Sequence, residues 1–458
     1  MASAGVRRSG SRVPGGDRSR RLGSHVVAVP NRVWIVLALA LVLRVLPVAL
    51  TWHTHLTLDP SDFSRTAASI AHGHGYPPSN RAPGEGASAF RPPAYPLFLA
   101  AVYVVAGHTA PADGRLAGAV LGVLSVALIG LIALRLWGRR VAMVALVIAA
   151  IAPPLVVLST AVISEALVVP LILGAVLTAL EARASPRRIR WAIATGVLIG
   201  LAALTRTNAL ILVIPLALAF IPHTAWRRPR SWTAPAVVVL ATCLTIAPWT
   251  IRNAIVFGDF IPISDEAGYT LAGTYNQVSR ANARFPANWI EAEHGASPEY
   301  ARILRTARRE HWNEPTYGSH LQAEAVHELE SDPAYMLKVA YWNAIRMFDI
   351  AEIRLARNNL ANTDIPLAPA LALMNSAPLL EVLALGSLLT RGIRRVPRWL
   401  WLVPLTLLTT LFVSGFIRFR APIDPFLVMM AAVFVVDSWD SMFRARPGRE
   451  SVRAQAAG

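Results

Sequence analysis

Residues 33–52 read VWIVLALALVLRVLPVALTW, and this near-continuous apolar run decides the fold class. As a helix, a run of this length crosses the roughly 30 Å hydrocarbon core of a bilayer, whereas the apolar region of a secretory signal peptide is shorter. No A-x-A-like cleavage site follows the run. It therefore predicts a retained transmembrane helix near the N-terminus.

The composition of the whole chain is that of a membrane protein. The 458 residues are 54% hydrophobic and 16% charged, with a mean hydropathy of +0.46, and a soluble chain of this size carries more charge. The net charge is +17, but the arginines fall in clusters between apolar runs, a positive-inside pattern that argues against nucleic-acid binding. The single cysteine, Cys243, excludes an intrachain disulfide, a cysteine-based zinc site and an iron–sulfur cluster.

Further apolar runs approach spanning length and predict an all-α polytopic membrane protein with about ten transmembrane helices. They cover 115–137, 141–160, 161–182, 189–206, 208–223, 232–250, 368–390, 398–416 and 421–440. With the N-terminus inside, every dense arginine cluster and both termini lie in the cytoplasm. The segment 93–107 is short, at about fifteen residues, and would invert all later turns if it crossed, so it is predicted to lie at the outer interface.

Five regions follow from this topology. Their bounds are a disordered basic cytoplasmic tail at 1–32, an N-terminal transmembrane core at 33–250 with its first outer loop at 53–92, an extracytoplasmic cap at 251–367, C-terminal transmembrane helices at 368–442 and a cytoplasmic tail at 443–458. The cap region contains helix-like stretches at 297–315 and 331–350. The two long polar regions therefore both face outward.

The first outer loop contains two candidate catalytic carboxylates, Asp59 and Asp62. Asp59 precedes Pro60, an arrangement typical of a helix N-terminus, so it is interpreted in one way as a cap. In the other interpretation, a carboxylate facing an outer cavity is a general base that takes a proton from a hydroxyl, with Asp62 as the substitute. One residue can serve both roles.

Charged residues at the outer ends of the spans are candidates for binding an anion. Two prolines follow Arg91 in AFRPPAYP and restrict its backbone. The segment is either a stiff turn with an arginine near the lipid headgroups, or it holds Arg91 in place as a phosphate ligand. Glu165 is an ionisable group inside a predicted span. One hypothesis makes it a second acidic residue of the site or part of the acceptor site. The other makes it a structural carboxylate that pairs with Arg206 on a neighbouring helix. The remaining arginines run against the positive-inside trend and suit a lipid phosphate; they are Arg206, Arg252, Arg418 and Arg420.

Metal and nucleotide chemistry find little support in the residues. His53, His55, His72 and His74 lie beside Asp59, either as metal ligands or as solvated interfacial side chains. No P-loop, GxGxxG or HExxH motif is present. No cofactor is therefore expected to be required, and a divalent metal has no support beyond these histidines.

The order of these motifs resembles the polyprenyl-phosphate-sugar-dependent glycosyltransferases of the GT-C fold. The motifs are the outer-loop aspartate followed by GHGY, then RPPAY, Ser-Glu, Leu-Thr-Arg, PWTIRN before the large outer loop, and RFRAPIDP near the end. The similarity runs from about residue 33 to 440, with the protein O-mannosyltransferase and aminoarabinose-to-lipid-A transferase group, glycosyltransferase family 39, as the nearest branch.

The resemblance implies an inverting transfer from a polyprenyl-phosphate sugar to a hydroxyl acceptor of the cell envelope, on the outer face. Asp59 matches the family's catalytic aspartate, and Arg91 matches the basic residue before Pro-Pro. Glu165 matches the acidic position, and Arg418 and Arg420 fall where the donor phosphate binds. The near-absence of lysine indicates a GC-rich bacterial genome, in which decaprenyl-type carriers occur. The expected location is a bacterial plasma membrane.

Two departures from the family pattern bear on the substrate and the metal. Pro60 follows Asp59 where protein mannosyltransferases have Asp-Glu, which weighs against a protein acceptor. Phe90 stands where the aminoarabinose branch has an acidic residue, which weighs against a bound metal. The rival hypotheses are a transporter or flippase of an anionic lipid or sugar phosphate, and a non-catalytic scaffold whose cap binds a partner.

Overall fold

The computed structural model describes residues 30–84, 86–221, 226–291, 297–350 and 367–444. Most of the predicted tails, at 1–29 and 445–458, lie outside this part of the chain, as do 292–296 and 351–366 within the predicted cap. The described residues are mainly helical, and their only β-type pairing is an isolated bridge between Pro78 and Ala87. The prediction of an all-α protein is confirmed.

The described α-helices are numbered here in chain order. They are α1 (Asn31–Leu50), α2 (Leu58–Ala71), α3 (Ala94–Ala106), α4 (Pro111–Trp137), α5 (Arg139–Ile151), α6 (Pro153–Val157), α7 (Glu165–Ala184), α8 (Arg188–Thr205), α9 (Val213–Leu218), α10 (Thr233–Phe257), α11 (Glu266–Thr274), α12 (Gln277–Ala281), α13 (Pro298–Glu310), α14 (Glu314–Ser331), α15 (Ala334–Met347), α16 (Leu367–Ser387), α17 (Arg398–Leu407) and α18 (Asp424–Arg444). Short 3-10 turns occur at Thr207–Leu212, Leu408–Phe412 and Ile417–Arg420.

Within the described residues, six helices are long and apolar enough to cross a membrane, which makes the chain a multi-pass membrane protein. They are α1, α4, α7, α8, α10 and α18. Shorter apolar segments occupy the other predicted spans: α5 with α6, Thr207–Leu218, the Ala377–Ser387 part of α16, and Arg398–Phe412. The helix at 93–107 is α3, and its interfacial placement stays a prediction.

Small residues allow the central helices to approach closely. Gly196 and Gly200 lie one turn apart on α8 where α10 crosses it. A Cβ atom at Gly196 would lie 2.4 Å from the Val238 carbonyl oxygen, and one at Gly200 would lie 2.6 Å from the Thr245 Cβ atom. Such small-residue contacts are how membrane helices gain packing energy where burial from water contributes little.

The span predicted at 141–160 is interrupted. The helix α5 ends at Ile151 because Pro153 and Pro154 follow, and proline can neither donate a backbone hydrogen bond nor continue the preceding turn. After the short α6, residues 158–164 are non-helical and lead into α7, which begins at Glu165. The break therefore places Glu165 at the first turn of a helix.

A buried arginine satisfies the carbonyl groups exposed by this break. Arg44, which is fully buried on α1, donates to the carbonyl oxygens of Ala149 (3.3 Å), Ala150 (3.2 Å) and Leu155 (3.3 Å). The last carbonyls of a helix have no partner within it, and in a bilayer no water replaces one. The guanidinium also complements the negative end of the α5 dipole. Arg44 therefore holds the broken helix against α1.

The region after α10, which the sequence predicts to face outward, contains helices whose starts are marked in the sequence. Ser297 and Asn313 accept capping hydrogen bonds from the backbone N–H groups of Tyr300 and Thr316, and each cap is followed by a proline in the first turn. Buried Tyr300, Tyr317 and Leu321 form a small core between α13 and α14. We refer to α11–α15 as the cap.

Replacing Arg44 with methionine is expected to destabilise the protein strongly. Methionine fills similar space but leaves the carbonyls of the break without donors, at about 1–3 kcal/mol for each unsatisfied group. The unfolding midpoint in detergent should fall by several degrees. Arg190→Met, at an exposed arginine, is the matched control and should leave the midpoint nearly unchanged. Equal midpoints for both variants would show that Arg44 does not support the break.

Candidate active site

Asp59 lies in the first turn of α2 without capping it. The N-cap position is Thr57, and no side chain makes a capping hydrogen bond there. Instead, one carboxylate oxygen of Asp59 accepts from Arg91 and the other accepts from Arg418. Burial raises the pKa of Asp59, but the two guanidinium groups outweigh burial and hold the pKa well below its usual range. Asp59 is therefore ionised and clamped from both sides.

Arg91 connects three carboxylates at the base of the first outer loop. Its Nη2 donates to Asp59, its Nε donates to Asp62 Oδ2 at 2.8 Å, and its Nη1 lies 3.5 Å from Glu266 Oε1. The guanidinium also lies over the ring of Phe63 at 4.8 Å from the centroid. Pro92 and Pro93 restrict the backbone beside it. The side chain is buried and fixed in direction.

Asp62 supports this arrangement from the side. It accepts hydrogen bonds from Arg65 at 2.8 Å and from Arg91, and Arg81 lies 3.8 Å away. Burial raises the pKa of Asp62, but Arg91 and the neighbouring arginines bring it below its usual value. Asp62 does not line the cavity described below, so it contacts the site through Arg91.

Glu165 is buried and pairs with Arg206, as one of the two hypotheses from the sequence predicts. Arg418 Nε also lies 3.8 Å from Glu165 Oε1. Glu165 therefore belongs to the same chain of charges as Asp59, with Arg418 between the two carboxylates. The Arg206 guanidinium lies 4.3 Å from the centroid of Phe419, which keeps it beside Arg418.

Two of the predicted phosphate ligands point away from Asp59. Arg420 donates to Glu381 and Asp424, both at 2.7 Å, although it is only two residues from Arg418. Arg252 donates to the Ser88 carbonyl oxygen at 3.0 Å and lies over the Trp249 ring. Arg420 therefore stabilises the C-terminal helices, and Arg252 holds the first outer loop.

A cavity of about 340 Å³ brings the remaining candidates together. Asp59, Arg91, Arg206 and Arg418 line it, together with Glu266 and polar side chains of 205–208 and 409–414. The cap contacts the chain segment that leads to Arg418. Tyr275 and Thr274 donate to the carbonyl oxygens of Phe412 and Val413, both at 2.6 Å. The lining therefore comes from the first outer loop, the α8 end, the cap and the C-terminal segment.

The histidines of the first outer loop do not form a metal site with other residues in the described part of the chain, where no group of three or more potential ligands occurs. His72 and His74 stack with ring centroids 6.3 Å apart, and His72 Nδ1 lies 2.7 Å from the Ala68 carbonyl oxygen. His53 and His55 line a separate open depression at the start of the loop.

A buried carboxyl pair joins the first outer loop to the cap. Glu314, at the start of α14, accepts from Ser88 Oγ at 3.0 Å and from the Ala89 backbone N–H at 2.6 Å. Asp265 lies beside Glu314, and no described donor reaches either of its buried carboxyl oxygens. Burial and the charge of Glu314 raise the pKa of Asp265 to about 8.

Residues 90–251 match the family described as dolichyl-phosphate-mannose-protein mannosyltransferase. The chain also superposes on the oligosaccharyltransferase AglB of Archaeoglobus fulgidus, in complex with an inhibitory peptide and a dolichol-phosphate, with a TM-score of 0.54 and 14% identity over 91% of this chain and 51% of that one. The chain has the GT-C fold. The resemblance predicted from the motifs is thereby confirmed.

Further comparisons gave the following matches. An oligosaccharyltransferase of Archaeoglobus fulgidus in complex with zinc and sulfate gives a TM-score of 0.51 at 16% identity over 90% of this chain and 49% of that one, so this chain spans about half the length of that protein. ArnT from Cupriavidus metallidurans bound to undecaprenyl phosphate gives 0.42 at 15% identity, over 90% of this chain and 79% of that one. No curated protein sequence matches significantly. The family match contains Arg91, Glu165 and Arg206, whereas Asp59 and Arg418 lie outside it.

Sequence reasoning missed Glu266, Arg81 and Asp265. Each lies in a polar segment between apolar runs, where a charged residue is ordinary and gives no signal by itself. The adjacent pair Asp265-Glu266, a short distance after the PWTIRN motif, is the one pattern that marks this part of the cap.

The raised pKa of Asp265 predicts that stability falls with pH. Between the ordinary aspartate value of about 4 and the folded value of about 8, the folded protein keeps a proton that the unfolded chain releases, so the free energy of unfolding decreases as pH rises. Asp265→Asn removes this ionisation and should narrow the difference in unfolding midpoint between pH 5 and pH 8. The exposed Asp259→Asn is the control, and an unaltered pH dependence in Asp265→Asn would contradict the assignment.

Proposed function

We propose that this protein is a membrane glycosyltransferase that transfers a sugar from a polyprenyl-phosphate donor to a hydroxyl of a cell-envelope acceptor, with inversion at the anomeric carbon. The observation that carries the proposal is the clamped Asp59 at the wall of a cavity that also presents Arg91, Arg206 and Arg418. One carboxylate and three guanidinium groups supply a base and a phosphate site together.

The arginines suit the leaving group. A sugar joined to a lipid phosphate carries one negative charge at the phosphate, and breaking the bond between sugar and oxygen leaves a second charge there. Guanidinium groups held in place before the reaction stabilise charge that develops in the transition state. Arg206 and Arg418 are both fixed by Glu165 and by the Phe419 ring, so they need little reorganisation.

Asp59 suits the role of the base once a donor phosphate competes with it for its arginine partners. The acceptor oxygen attacks the anomeric carbon as its proton passes to Asp59 and the bond to the phosphate oxygen breaks, so a single displacement inverts the centre. In the structure, Arg91 and Arg418 make Asp59 a weak base. A donor phosphate that draws Arg418 toward itself reduces this stabilisation and raises the proton affinity of Asp59.

The donor class also fits the fold and the position of the site. The solved GT-C structure of AglB contains a dolichol-phosphate, and the cavity lies where the first outer loop, the ends of spanning helices and the cap meet. Such a site is accessible from both the bilayer and the outer aqueous phase. We place it on the outer face of a bacterial plasma membrane with both termini in the cytoplasm, and the proposed reaction requires no cofactor or nucleic acid.

Asp59→Asn is expected to lower the rate of transfer by about 10²–10⁴-fold, because asparagine cannot accept the acceptor proton. The assay follows label from radiolabelled polyprenyl-phosphate sugars into an envelope extract, in membranes with equal amounts of inserted protein. Asp259→Asn, at an exposed outer aspartate, should retain full activity. Near-normal transfer by Asp59→Asn would refute the proposal, and intact donors with the wild-type protein would favour a transporter.

Arg418→Gln is expected to move the acid limb of the pH–rate profile to higher pH. Loss of one guanidinium raises the pKa of Asp59, and the base acts only when deprotonated, so activity is lost at a higher pH as the solution is acidified. Arg65→Gln removes a charge that pairs with Asp62 and should leave the limb in place. An acid limb at the wild-type position in Arg418→Gln would exclude Asp59 as the titrating base.

A further inference from the structure

Glu314, at the start of α14 in the cap, is 1% exposed and accepts three hydrogen bonds from the first outer loop. The donors are the hydroxyl of Ser79, the hydroxyl of Ser88 at 3.0 Å and the backbone N–H of Ala89 at 2.6 Å. A carboxylate in the first turn of a helix is also stabilised by the positive end of the helix dipole. Glu314 is therefore a fixed point of the cap to which the loop is attached.

The loop meets the cap at a second point beside this carboxylate. The Gly84 N–H donates to the Trp312 carbonyl oxygen at 2.9 Å. A Cβ atom at position 84 would lie 2.3 Å from the His311 carbonyl oxygen, so this close approach requires glycine. The segment 311–314, which joins α13 to α14, therefore contacts the loop at several positions between 79 and 89.

The backbone next to Arg91 depends on such contacts. Residues 72–84 and 86–93 belong to no helix, so their backbone groups need partners from elsewhere in the protein. In the described part of the chain, the acceptor of the Ala89 N–H is Glu314. The neighbouring carbonyl oxygens accept from Arg252 at Ser88, from the Asp265 N–H at Ala89 and from the Tyr76 hydroxyl at Arg91.

The position of the Arg91 guanidinium follows from this backbone. Ala89 lies two residues before Arg91, whose guanidinium bonds to Asp59 and lines the cavity. Pro92 and Pro93 restrict the chain on the other side of Arg91. A displacement of about 1 Å in a site of this kind costs up to about 10²-fold in rate, even when its cause lies away from the reacting atoms.

Glu328, a second buried carboxylate of α14, has partners of a different kind. It is 7% exposed and accepts from Arg280 at 3.1 Å and from Gln277 at 3.3 Å, both in α12 of the same cap. The contacts of Glu328 therefore join cap helices to each other, whereas the hydrogen bonds that Glu314 accepts join the cap to the loop that carries Arg91.

We propose that Glu314 is a positioning residue of the transfer reaction, which acts through the backbone of 88–91 to hold Arg91 against Asp59. The proposal rests on the proposed transferase function. Glu314 does not line the cavity, so its effect on the reaction passes through Arg91.

Hydrogen–deuterium exchange measures this anchoring without requiring transfer. The full-length protein in lipid nanodiscs would be compared as wild type, Glu314→Ala and Glu328→Ala. Backbone amides of 79–91 should exchange about tenfold faster in Glu314→Ala, because Ala89 loses its acceptor and the loop opens more often. Glu328→Ala should leave this segment at the wild-type rate and speed exchange in 277–281 instead. An unaltered rate for 79–91 in Glu314→Ala would overturn the proposal.

Transfer kinetics separate positioning from a purely structural contact. With equal amounts of inserted protein, kcat for Glu314→Ala should be roughly tenfold to 10²-fold below that of Glu328→Ala. The acid limb of the pH–rate profile should also move to higher pH, because a displaced Arg91 no longer lowers the pKa of Asp59. Glu314→Gln should restore most of the rate, since its amide oxygen accepts from Ala89 and its N–H groups donate to the serine hydroxyls.

The two measurements together distinguish failure of this proposal from failure of the transferase proposal. Faster exchange in Glu314→Ala with the kcat and acid limb of Glu328→Ala would show that Glu314 anchors the loop without positioning Arg91, and would overturn the inference. Transfer by the wild type that depends on Asp59 would then leave the transferase proposal standing. Absence of any transfer by the wild type would refute both.

Discussion

The pairing of Asp59 with Arg91 and Arg418 is the interaction on which the rest of the site depends. It joins the first outer loop to a segment 359 residues later in the chain, so the cavity exists only when both ends of the protein have assembled. Glu165 and Asp62 extend the cluster on either side. Isolated buried charges are costly, and the alternation of carboxylates and guanidiniums makes this concentration of charge tolerable at the membrane boundary.

Several structural irregularities position the members of this cluster. The break at Pro153-Pro154 places Glu165 at the start of a helix, and Arg44 stabilises that break by satisfying its carbonyl groups. The cap residues that bind the carbonyl oxygens at 411–413 fix the turn that carries Arg418. Each irregularity exposes backbone groups that regular helices would pair internally, so each requires a dedicated donor.

The sequence was informative wherever a residue type was unusual for its place. Apolar length predicted the spanning helices, and charges at the outer ends of spans drew attention to Arg206 and Arg418, which do line the cavity. The direction of a side chain was not predictable in this way: Arg418 and Arg420 lie in one 3-10 turn and point to different carboxylates. The sequence does not single out Glu266 and Arg81, because charged residues are common in polar loops.

The geometry of the cluster has a consequence for the order of events in the proposed reaction. The guanidiniums that suit a phosphate are the same groups that keep the Asp59 proton affinity low. A base held in this way gains strength only when another anion competes for its partners, and the donor phosphate is that anion. Acceptor activation is thereby coupled to donor binding, which limits proton abstraction to the moment when a sugar is in place. A carboxylate paired with one exposed lysine would lack this coupling, because solvent would screen the pair whether or not the donor was bound.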